Sequence, residues 1–379
     1  MKTIKIAVFG TGFMGRVHTE AARRLGFIEV AGVAGSSLER ARAFAAKMGI
    51  PRAEADYRKF LADPGIDAVH ILTPNQLHFP MAKDALLAGK NVVCEKPLGT
   101  SVAEGEELVA LARKTGLANC TFHNVRMYPQ VQNMRAMVEA GEIGEVRVLQ
   151  GTYSQDWLLY DTDWNWRIEV GPSRTFADIG SHWCDLAEHV TGLRLRSVCA
   201  DLNTFYKTRK KPKGPVETFA GKTLRPDEYT ETPIETEDFG SMIFRMNNDA
   251  RGAMTVSQIS AGRKNRLVLE IYGTRKGLTW DCERQDELWI GERNEANRIV
   301  IKDPALLEEK ARPFADLPGG HSEGYDDTFK QVFRRFYARV ADPSAAVEYP
   351  TFEDGLRQLK VLDRVLESSR TQKWVEVGA

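Results

Sequence analysis

Lys96 stands directly before Pro97 at the end of a short apolar run, which makes it a candidate for chemistry. Residues 91–94 predict a buried strand, which a charged pair, Glu95 and Lys96, brings to an end. Because parallel sheets bind ligands outside the carboxyl ends of their strands, a lysine at such an end can reach a ligand. Pro97 keeps Lys96 out of the helical region and holds it at a sharp corner. On this segment alone, a surface lysine beside a glutamate is the plainer interpretation.

A second candidate is the pair Asp178 and His182, which are four residues apart. On a helix the two side chains lie one turn apart on one face. The carboxylate can fix the imidazole tautomer and support its cationic form, as a general base near neutral pH requires. Asp185 and His189 continue the stripe, so His182, Asp185 and His189 as metal ligands are a second interpretation. A polar helix face without a function is a third.

Residues 10–15 read G-T-G-F-M-G, and they follow a predicted strand and precede a predicted helix. This context favours dinucleotide binding over an ordinary glycine-rich turn. Gly10 permits a tight turn, Gly12 lets the backbone approach a pyrophosphate, and Gly15 lets the helix pack against the strand. The amino-terminal end of the helix would offer free N–H groups and a positive dipole end to the phosphates.

The end of the second predicted strand, residues 28–33, bears on the choice of cofactor. The acidic residue that accepts from the ribose 2′-hydroxyl of NAD is missing, and Gly35 occupies about its place. Ser36, Ser37 and Arg40 could instead accommodate a 2′-phosphate. The sequence therefore predicts NAD or NADP as cofactor, with a slight preference for NADP.

The order of predicted elements indicates an α/β fold with two domains. Strands and helices alternate up to about residue 125, which predicts a Rossmann-type, doubly wound parallel sheet over 1–125. Strand-like runs with short turns then predict an α+β domain with a large, mainly antiparallel sheet over 126–379. A sheet this broad would be costly to leave wet on one face, so we expect homo-oligomers, dimers or tetramers, through it. The polar stretch 207–236, with its basic run, is interpreted as a solvated loop or an inter-subunit arm.

Composition limits the classes of function. The 379 residues contain 52 lysines and arginines and 52 aspartates and glutamates, so the net charge predicts neither nucleic-acid binding nor attraction to an anionic membrane. The five cysteines have no metal-type spacing, which favours a reducing compartment. With no apolar leader or membrane span predicted, we expect a cytoplasmic protein.

Three tryptophans, Trp157, Trp164 and Trp166, lie close together among acidic and amide side chains. Tryptophan clusters usually belong to a core, but the polar neighbours predict a rim here. Indole rings can pack on the C–H faces of a sugar while carboxylates and amides bind its hydroxyls. The segment therefore predicts a carbohydrate pocket.

Together these motifs resemble the glucose–fructose oxidoreductase / inositol dehydrogenase family, also called Gfo/Idh/MocA. Any one motif is weak, but five in the family's order are specific, and the resemblance covers nearly the whole chain. The five segments are residues 10–15, Thr73-Pro74-Asn75, Glu95-Lys96-Pro97, residues 124–129, and residues 178–185 with the pattern D-x-G-x-H-x-x-D.

The resemblance implies a function as well as a fold. Lys96, Asp178 and His182 match the family's catalytic triad, and Glu95 and Lys96 also reach the nicotinamide ribose. The Lys96–Pro97 peptide is expected to be cis, a conformation that proline makes accessible. Trp166-Arg167 resembles a pair that contacts the nicotinamide end in some members. Relatives with this rim mostly act on sugars, inositols or glycosides, and metal is not a family feature.

We therefore predict an NAD(P)-dependent oxidoreductase that oxidises a secondary alcohol, with Lys96 and His182 facing the same hydroxyl. The alternatives are a non-catalytic dinucleotide-binding regulator and a reductase of a small non-sugar carbonyl. The predicted cofactor residues are Gly10, Gly12, Phe13, Met14, Gly35, Ser36, Ser37, Arg40, Thr73, Pro74, Asn75, His78, Glu95, Lys96, Asn124, Trp166 and Arg167. The predicted substrate contacts are Lys96, Arg126, Tyr128, Asp156, Trp157, Trp164, Asp178, His182 and His321.

Overall fold

The computed structural model describes residues 3–169, 171–214 and 228–378. The chain divides into two compact units, Met1–Met127 with Gly324–Leu359, and Tyr128–Glu323 with Lys360–Ala379. The division expected from the sequence, 1–125 and 126–379, left the segment Gly324–Leu359 out of the first unit. The strand–helix alternation stops near residue 125, so nothing in that pattern indicates that a later helix returns to the first unit.

The first unit is built on a parallel sheet. Its strands are β1 (Ile4–Phe9), β2 (Ile28–Ala34), β3 (Arg52–Glu54), β4 (Ala68–Ile71), β5 (Asn91–Cys94) and β6 (Asn119–Thr121). In the described residues their order across the sheet is β3-β2-β1-β4-β5-β6. Every neighbouring pair is parallel, which confirms the predicted doubly wound sheet.

The helices of the chain follow in order. They are α1 (Phe13–Arg23), α2 (Leu38–Met48), α3 (Arg58–Leu61), α4 (His78–Leu87), α5 (Val102–Thr115), α6 (Pro129–Glu139), α7 (Ser181–Thr191), α8 (Tyr325–Ala341) and α9 (Phe352–Thr371). Ser37 and Ser101 cap the amino-terminal ends of α2 and α5 by accepting from backbone N–H groups. Gly49 and Gly116 end the same helices in the left-handed conformation.

The core of the first unit explains why its strands are nearly continuous apolar runs. Phe9, Ile71 and Cys94 from three neighbouring strands are fully buried, with Leu108 of α5 and Phe352 of α9 in the same cluster. Strands covered by helices on both faces bury side chains on both faces, so they lose the alternation of an exposed sheet.

The second unit is built on a larger sheet. The strands of this unit are β7 (Val146–Ser154), β8 (Leu195–Asn203), β9 (Thr208–Pro212), β10 (Tyr229–Pro233), β11 (Phe239–Met246), β12 (Arg251–Ser257), β13 (Arg266–Gly273), β14 (Lys276–Asp281), β15 (Glu287–Glu292), β16 (Arg298–Ile301) and β17 (Val375–Glu376), of which β9 and β10 form a separate pair. In the described residues the order is β16-β15-β14-β13-β7-β12-β11-β8-β17. Of the strand pairs of this sheet that the structure describes, only β7 and β12 pair in parallel, which confirms a mainly antiparallel sheet.

The polar stretch 207–236 differs from its interpretation as a solvated loop. Strands β9 and β10 pair as an antiparallel ribbon, and residues 215–227 lie outside the described residues. Arg209 of the basic run is fully buried and ion-paired to Asp238, so the interpretation is wrong for this residue. Charge counting cannot distinguish a solvated arginine from one whose partner comes from a distant part of the chain.

Among the residues that the structure describes, we find no helix with the length and apolar character needed to span a bilayer.

Two histidines, His18 of α1 and His70 of β4, are fully buried in the first unit. Burial lowers the pKa of His18 to about 3 and the pKa of His70 well below its ordinary value. Both rings are therefore neutral in the folded protein at neutral pH, whereas in the unfolded chain they titrate near pH 6.5.

We expect the folded state to lose stability as the pH falls. As the pH falls through about 6.5, only the unfolded chain gains protons on these two histidines, because their pKa values are depressed in the folded state. The stability that the two neutral rings contribute is therefore present above about pH 6.5 and is lost below it. Between about pH 7.5 and about pH 5, the free energy of unfolding should fall by about 2 kcal/mol for each of the two histidines. Urea unfolding at the two pH values measures it. A double variant, His18→Leu with His70→Leu, should flatten this dependence, whereas His321→Leu, on an exposed residue, should not.

Candidate active site

The glycine-rich segment has the shape that a pyrophosphate requires. Gly10 has a φ of +127°, and a Cβ there would lie 2.6 Å from the carbonyl oxygen of Leu72. A Cβ on Gly15 would collide with the carbonyl oxygen of Gly10. At Gly12, in contrast, no heavy atom lies within 4 Å of a Cβ position, and α1 begins at Phe13. Open space beside the start of a helix fits a bound dinucleotide.

Gly35, where an acidic residue was expected, occupies a crowded position. A Cβ there would lie 3.1 Å from both the backbone nitrogen of Ala41 and the methyl carbon of Thr11. The hydroxyl of Ser37 accepts from the backbone N–H of Arg40 at 3.2 Å, so it caps α2. Close packing of α2 is therefore a structural reason for a glycine at this position.

His78 connects two of the motif segments. It is buried, with Nδ1 2.6 Å from the carbonyl oxygen of Pro97 and Nε2 2.8 Å from that of Thr73. Asn75 begins a short 3-10 turn that leads into α4. Both ring nitrogens of this predicted cofactor-edge residue thus lie at hydrogen-bond distance from backbone carbonyl oxygens. The ring therefore connects the segment after β4 to the segment after β5.

Glu95 and Lys96 continue directly from β5. The backbone N–H of Glu95 donates to the carbonyl of Ile71, and its side chain is nearly buried. One carboxylate oxygen accepts from the backbone N–H of Lys96 at 3.2 Å, and the other lies 3.2 Å from Nε2 of His18. The Lys96–Pro97 peptide is cis, as the resemblance implied.

Asp178 and His182 lie where a π-helical turn, Phe176–Gly180, runs into α7. The predicted helix is therefore present, but its first turn is wider than a regular one, a feature that often marks functional sites. The carboxylate of Asp178 accepts from Nε2 of Gln258 at 2.9 Å and lies 3.4 Å from Nε of Arg167. His182 is buried, with its ring centroid 6.3 Å from that of Tyr153.

Sequence reasoning missed Gln258, the residue that follows β12. It is fully buried, and its side-chain oxygen lies 3.2 Å from the hydroxyl of Thr175. Because an ionised carboxylate only accepts, the amide nitrogen must face Asp178, which fixes the orientation of the amide. No pattern in the sequence points to a glutamine 80 positions away.

Buried charges anchor the same segment. The carboxylate of Glu237 accepts from the hydroxyl of Ser173 at 2.6 Å and from the backbone N–H of Phe176 at 2.8 Å. It therefore places a negative charge at the amino-terminal end of the π-helical turn, where the helix dipole favours one. The next residue, Asp238, pairs with the guanidinium groups of Arg174 and Arg209, and all three side chains are fully buried.

Arg209 also holds the tryptophan segment (residues 157–166). Its guanidinium donates to the carbonyls of Leu158 and Tyr160 at 2.9 and 2.8 Å. Trp157 and Trp164 pack against a small buried cluster of Leu158, Ile168 and Ile234. Both tryptophans are therefore partly core residues, whereas the polar neighbours in the sequence predict only a rim.

The remaining polar residues of this region are also engaged locally. Asp156 accepts from the backbone N–H of Gly262 and from Lys264 at 2.7 Å. The guanidinium of Arg167 lies over the ring of Trp166, 4.6 Å from its centroid.

Other predicted contact residues have structural partners in their own units. In the first unit, Arg126 pairs with Asp354 at 2.8 Å and the amide of Asn124 donates to the hydroxyl of Thr328. In the second unit, Tyr128 contacts the ring of Trp280, and His321 is exposed. Their roles toward cofactor or substrate stay predictions.

His189, one of the three residues in the metal interpretation of the helical stripe, is contacted by neighbouring side chains. Nε2 of His189 lies 3.1 Å from the amide nitrogen of Gln132, and Arg135 also contacts this ring. In the described part of the chain, no cluster of three or more histidine, cysteine or acidic side chains could hold a metal ion.

Both halves of the chain match models of one protein family. Residues 4–123 match the model described as an oxidoreductase family with an NAD-binding Rossmann fold. Residues 131–279 match the GFO/IDH/MocA C-terminal domain. The chain belongs to the Gfo/Idh/MocA oxidoreductase family. This Gfo/Idh/MocA protein is thus an oxidoreductase with an NAD-binding Rossmann fold, which confirms the predicted enzyme class. The slight preference for NADP stays a prediction.

Individual relatives of this Gfo/Idh/MocA protein are similar over its whole length. Levoglucosan dehydrogenase from Pseudarthrobacter phenanthrenivorans is 27% identical, and the alignment covers 100% of this chain and 99% of that protein. A structure of levoglucosan dehydrogenase in complex with NADH and levoglucosan is 26% identical, with a TM-score of 0.88 and full coverage of both chains. An oxidoreductase structure from Sinorhizobium meliloti is 30% identical, with a TM-score of 0.83, covering 99% of this chain and 100% of that one.

Proposed function

We propose that the protein transfers a hydride between a secondary alcohol of a sugar, polyol or glycoside and NAD or NADP. The observation that carries the proposal is the full-length similarity to levoglucosan dehydrogenase, whose solved complex contains NADH and a sugar. The open position at Gly12 supports the binding of a dinucleotide. The presence of Lys96, Asp178 and His182 in the family's motif positions supports catalysis.

Oxidation of an alcohol removes a hydride from carbon and a proton from the hydroxyl, and the nicotinamide, when bound, takes up the hydride. We assign the proton to the imidazole of His182, which Asp178 orients. Lys96 donates to the substrate oxygen and stabilises the negative charge that develops there. Because both groups would address one hydroxyl, their titrations are coupled, and the observed pKa values belong to the pair. Gln258 and Arg167 support the role of Asp178, since both keep its carboxylate in place.

The finer choice between NAD and NADP rests on the residues after β2. Gly35 supplies no carboxylate to repel a 2′-phosphate, and Ser36 and Arg40 are exposed beside the start of α2. These residues favour NADP slightly, whereas a solved levoglucosan dehydrogenase contains NADH. Comparing kcat/KM for the two cofactors tests this part of the proposal. Arg40→Leu should lower kcat/KM with NADP only, and an equal loss with NAD would contradict the assignment.

A substrate panel tests the proposed function itself. We expect the protein to reduce NAD or NADP when anhydrosugars, pyranoses or inositols are supplied as alcohol substrates. The absorbance of the reduced nicotinamide measures this reaction. Straight-chain and aromatic diols of similar polarity serve as controls for ring recognition. Tight binding of either dinucleotide without turnover on the whole panel would contradict the dehydrogenase and favour a regulator.

We further propose that the protein is a homo-oligomer through the large sheet. Apolar side chains are partly exposed on its strands, among them Val148, Ile243 and Ile299. Light scattering should give a mass of a dimer or tetramer. Replacing Ile243 and Ile299 with lysine should lower that mass, and a monomer in the unaltered protein would contradict the proposal.

A further inference from the structure

A chain of hydrogen bonds crosses the core of the first unit and ends at Glu95. The hydroxyl of Tyr337, on α8, lies 2.5 Å from Nε2 of His70. Nδ1 of His70 lies 3.0 Å from Nδ1 of His18, and Nε2 of His18 lies 3.2 Å from a carboxylate oxygen of Glu95. Tyr337, His70 and His18 are fully buried, so water cannot replace any of these partners.

The proton positions in this chain follow from its last member. When Glu95 is ionised, its carboxylate only accepts hydrogen bonds, and Nε2 of His18 then carries the proton that faces Glu95. Burial keeps His18 neutral by lowering its pKa, which leaves a lone pair on its Nδ1. His70 must then donate from Nδ1 and accept at Nε2 from the hydroxyl of Tyr337. Burial raises the pKa of this hydroxyl, so the hydroxyl stays protonated. Every bond thus donates toward Glu95.

Apolar rings enclose the two histidines. Phe122, Phe329 and Phe333 all contact the ring of His18, with centroids 4.5, 5.2 and 5.1 Å away. In such surroundings a buried polar atom without a partner is costly. Hydrogen bonds in the reversed direction are disfavoured, because a lone pair of His18 would then face the carboxylate of Glu95. The direction of the chain is therefore fixed.

The chain of hydrogen bonds joins two parts of the first unit that contain predicted cofactor residues. His18 belongs to α1, the helix that starts beside the open position at Gly12. Glu95 accepts from the backbone N–H of Lys96 with its other carboxylate oxygen. One ring nitrogen therefore connects the helix of the phosphate loop to the Glu95–Lys96 corner.

We propose that His18 is a positioning residue that holds the Glu95 carboxylate for the cofactor, and that His70 and Tyr337 keep His18 in the donating tautomer. The inference rests on the proposed function, because it requires a bound dinucleotide, and the family resemblance assigns Glu95 to the nicotinamide ribose. His18 acts only through Glu95 and touches no reacting atom.

The first test reads the tautomers directly. Histidine labelled with ¹⁵N is incorporated into the protein, and the rings of His18 and His70, two of its seven histidines, are assigned by single variants. We expect His18 to be neutral with its proton on Nε2, and His70 to be neutral with its proton on Nδ1. A cationic ring or the opposite tautomer at either position would overturn the inference.

The second test measures binding of NADH and NADPH by fluorescence, without turnover. His18→Leu removes the donor to Glu95 and should raise the Kd about tenfold, the loss expected for one hydrogen bond to a charged group. His18→Gln can present an amide N–H at a similar distance and should recover part of the affinity. Tyr337→Phe removes the distant donor and should have a smaller effect, about threefold.

Tyr349→Phe provides the matched control, because it removes a hydroxyl from another buried tyrosine of the same unit outside the chain. Thermal unfolding of each variant verifies that it is folded. Normal binding by the wild type with an unchanged Kd in His18→Leu would overturn this inference alone. A wild type that binds neither dinucleotide would instead overturn the proposed function.

Discussion

Replacing Lys96 with methionine is expected to lower kcat by about a hundredfold or more, the usual cost of losing one group that stabilises a developing oxyanion. Methionine keeps the length and apolar volume of the lysine stem but removes its charge and its donor. The loss should appear in kcat at saturating cofactor and sugar, whereas the Kd of the dinucleotide should rise by a much smaller factor, from the loss of the contact to the nicotinamide ribose. Lys47→Met, on an exposed lysine of α2, is the matched control and should leave kcat unchanged.

His182→Asn should give a loss of similar size, because the proton then has no acceptor at that position. If Lys96 and His182 act on one hydroxyl, the double variant should lose much less than the product of the two single losses. If the loss of the double variant equals the product of the two single losses, Lys96 and His182 act in separate steps. Turnover near that of the wild type in either single variant would contradict the assignment.

The parts of the fold that could be predicted are those with local periodicity. Strands such as β1 and β5 are apolar runs that end in glycine or in a charged pair, and the helices between them follow a regular pattern, so the parallel sheet was predictable. Strand β3, only three residues long and half-buried, was not predicted because Arg52 and Glu54 interrupt any apolar pattern. The first unit's return segment, Gly324–Leu359, was missed because only tertiary packing decides it.

The candidate site was predictable only where its residues belong to motifs. Lys96, Asp178 and His182 stand in short patterns whose chemistry can be stated from residue type and spacing. Gln258 contacts Asp178, 80 positions away, and Arg209 contacts Leu158, about 50 positions away. Neither Gln258 nor Arg209 lies in a sequence pattern. For the same reason, the burial of His18 and His70 beside each other could not be foreseen, since they come from a helix and a strand that meet only in the fold.

The second large effect is expected on stability, from Asp238→Asn. The carboxylate of Asp238 is fully buried between Arg174 and Arg209, and its second oxygen accepts from the backbone N–H of Tyr206 at 2.9 Å. Removing one partner of a buried charge cluster leaves uncompensated cations, so the free energy of unfolding should fall by about 3–5 kcal/mol. Asp161→Asn, which removes an exposed ion pair with Lys210, should lower the free energy of unfolding far less.

A triple variant separates the stability of this cluster from its role in positioning. Replacing Arg174 and Arg209 with methionine and Asp238 with leucine removes all three charges together, and such apolar replacements of buried ionic groups are often neutral or stabilising. We therefore expect the triple variant to recover most of the unfolding free energy measured in urea. The turnover of the triple variant should be lower than that of the wild type, because the carbonyls of Leu158 and Tyr160 lose the guanidinium that fixes the tryptophan segment. Recovery of both stability and turnover would mean that the buried cations serve the fold alone.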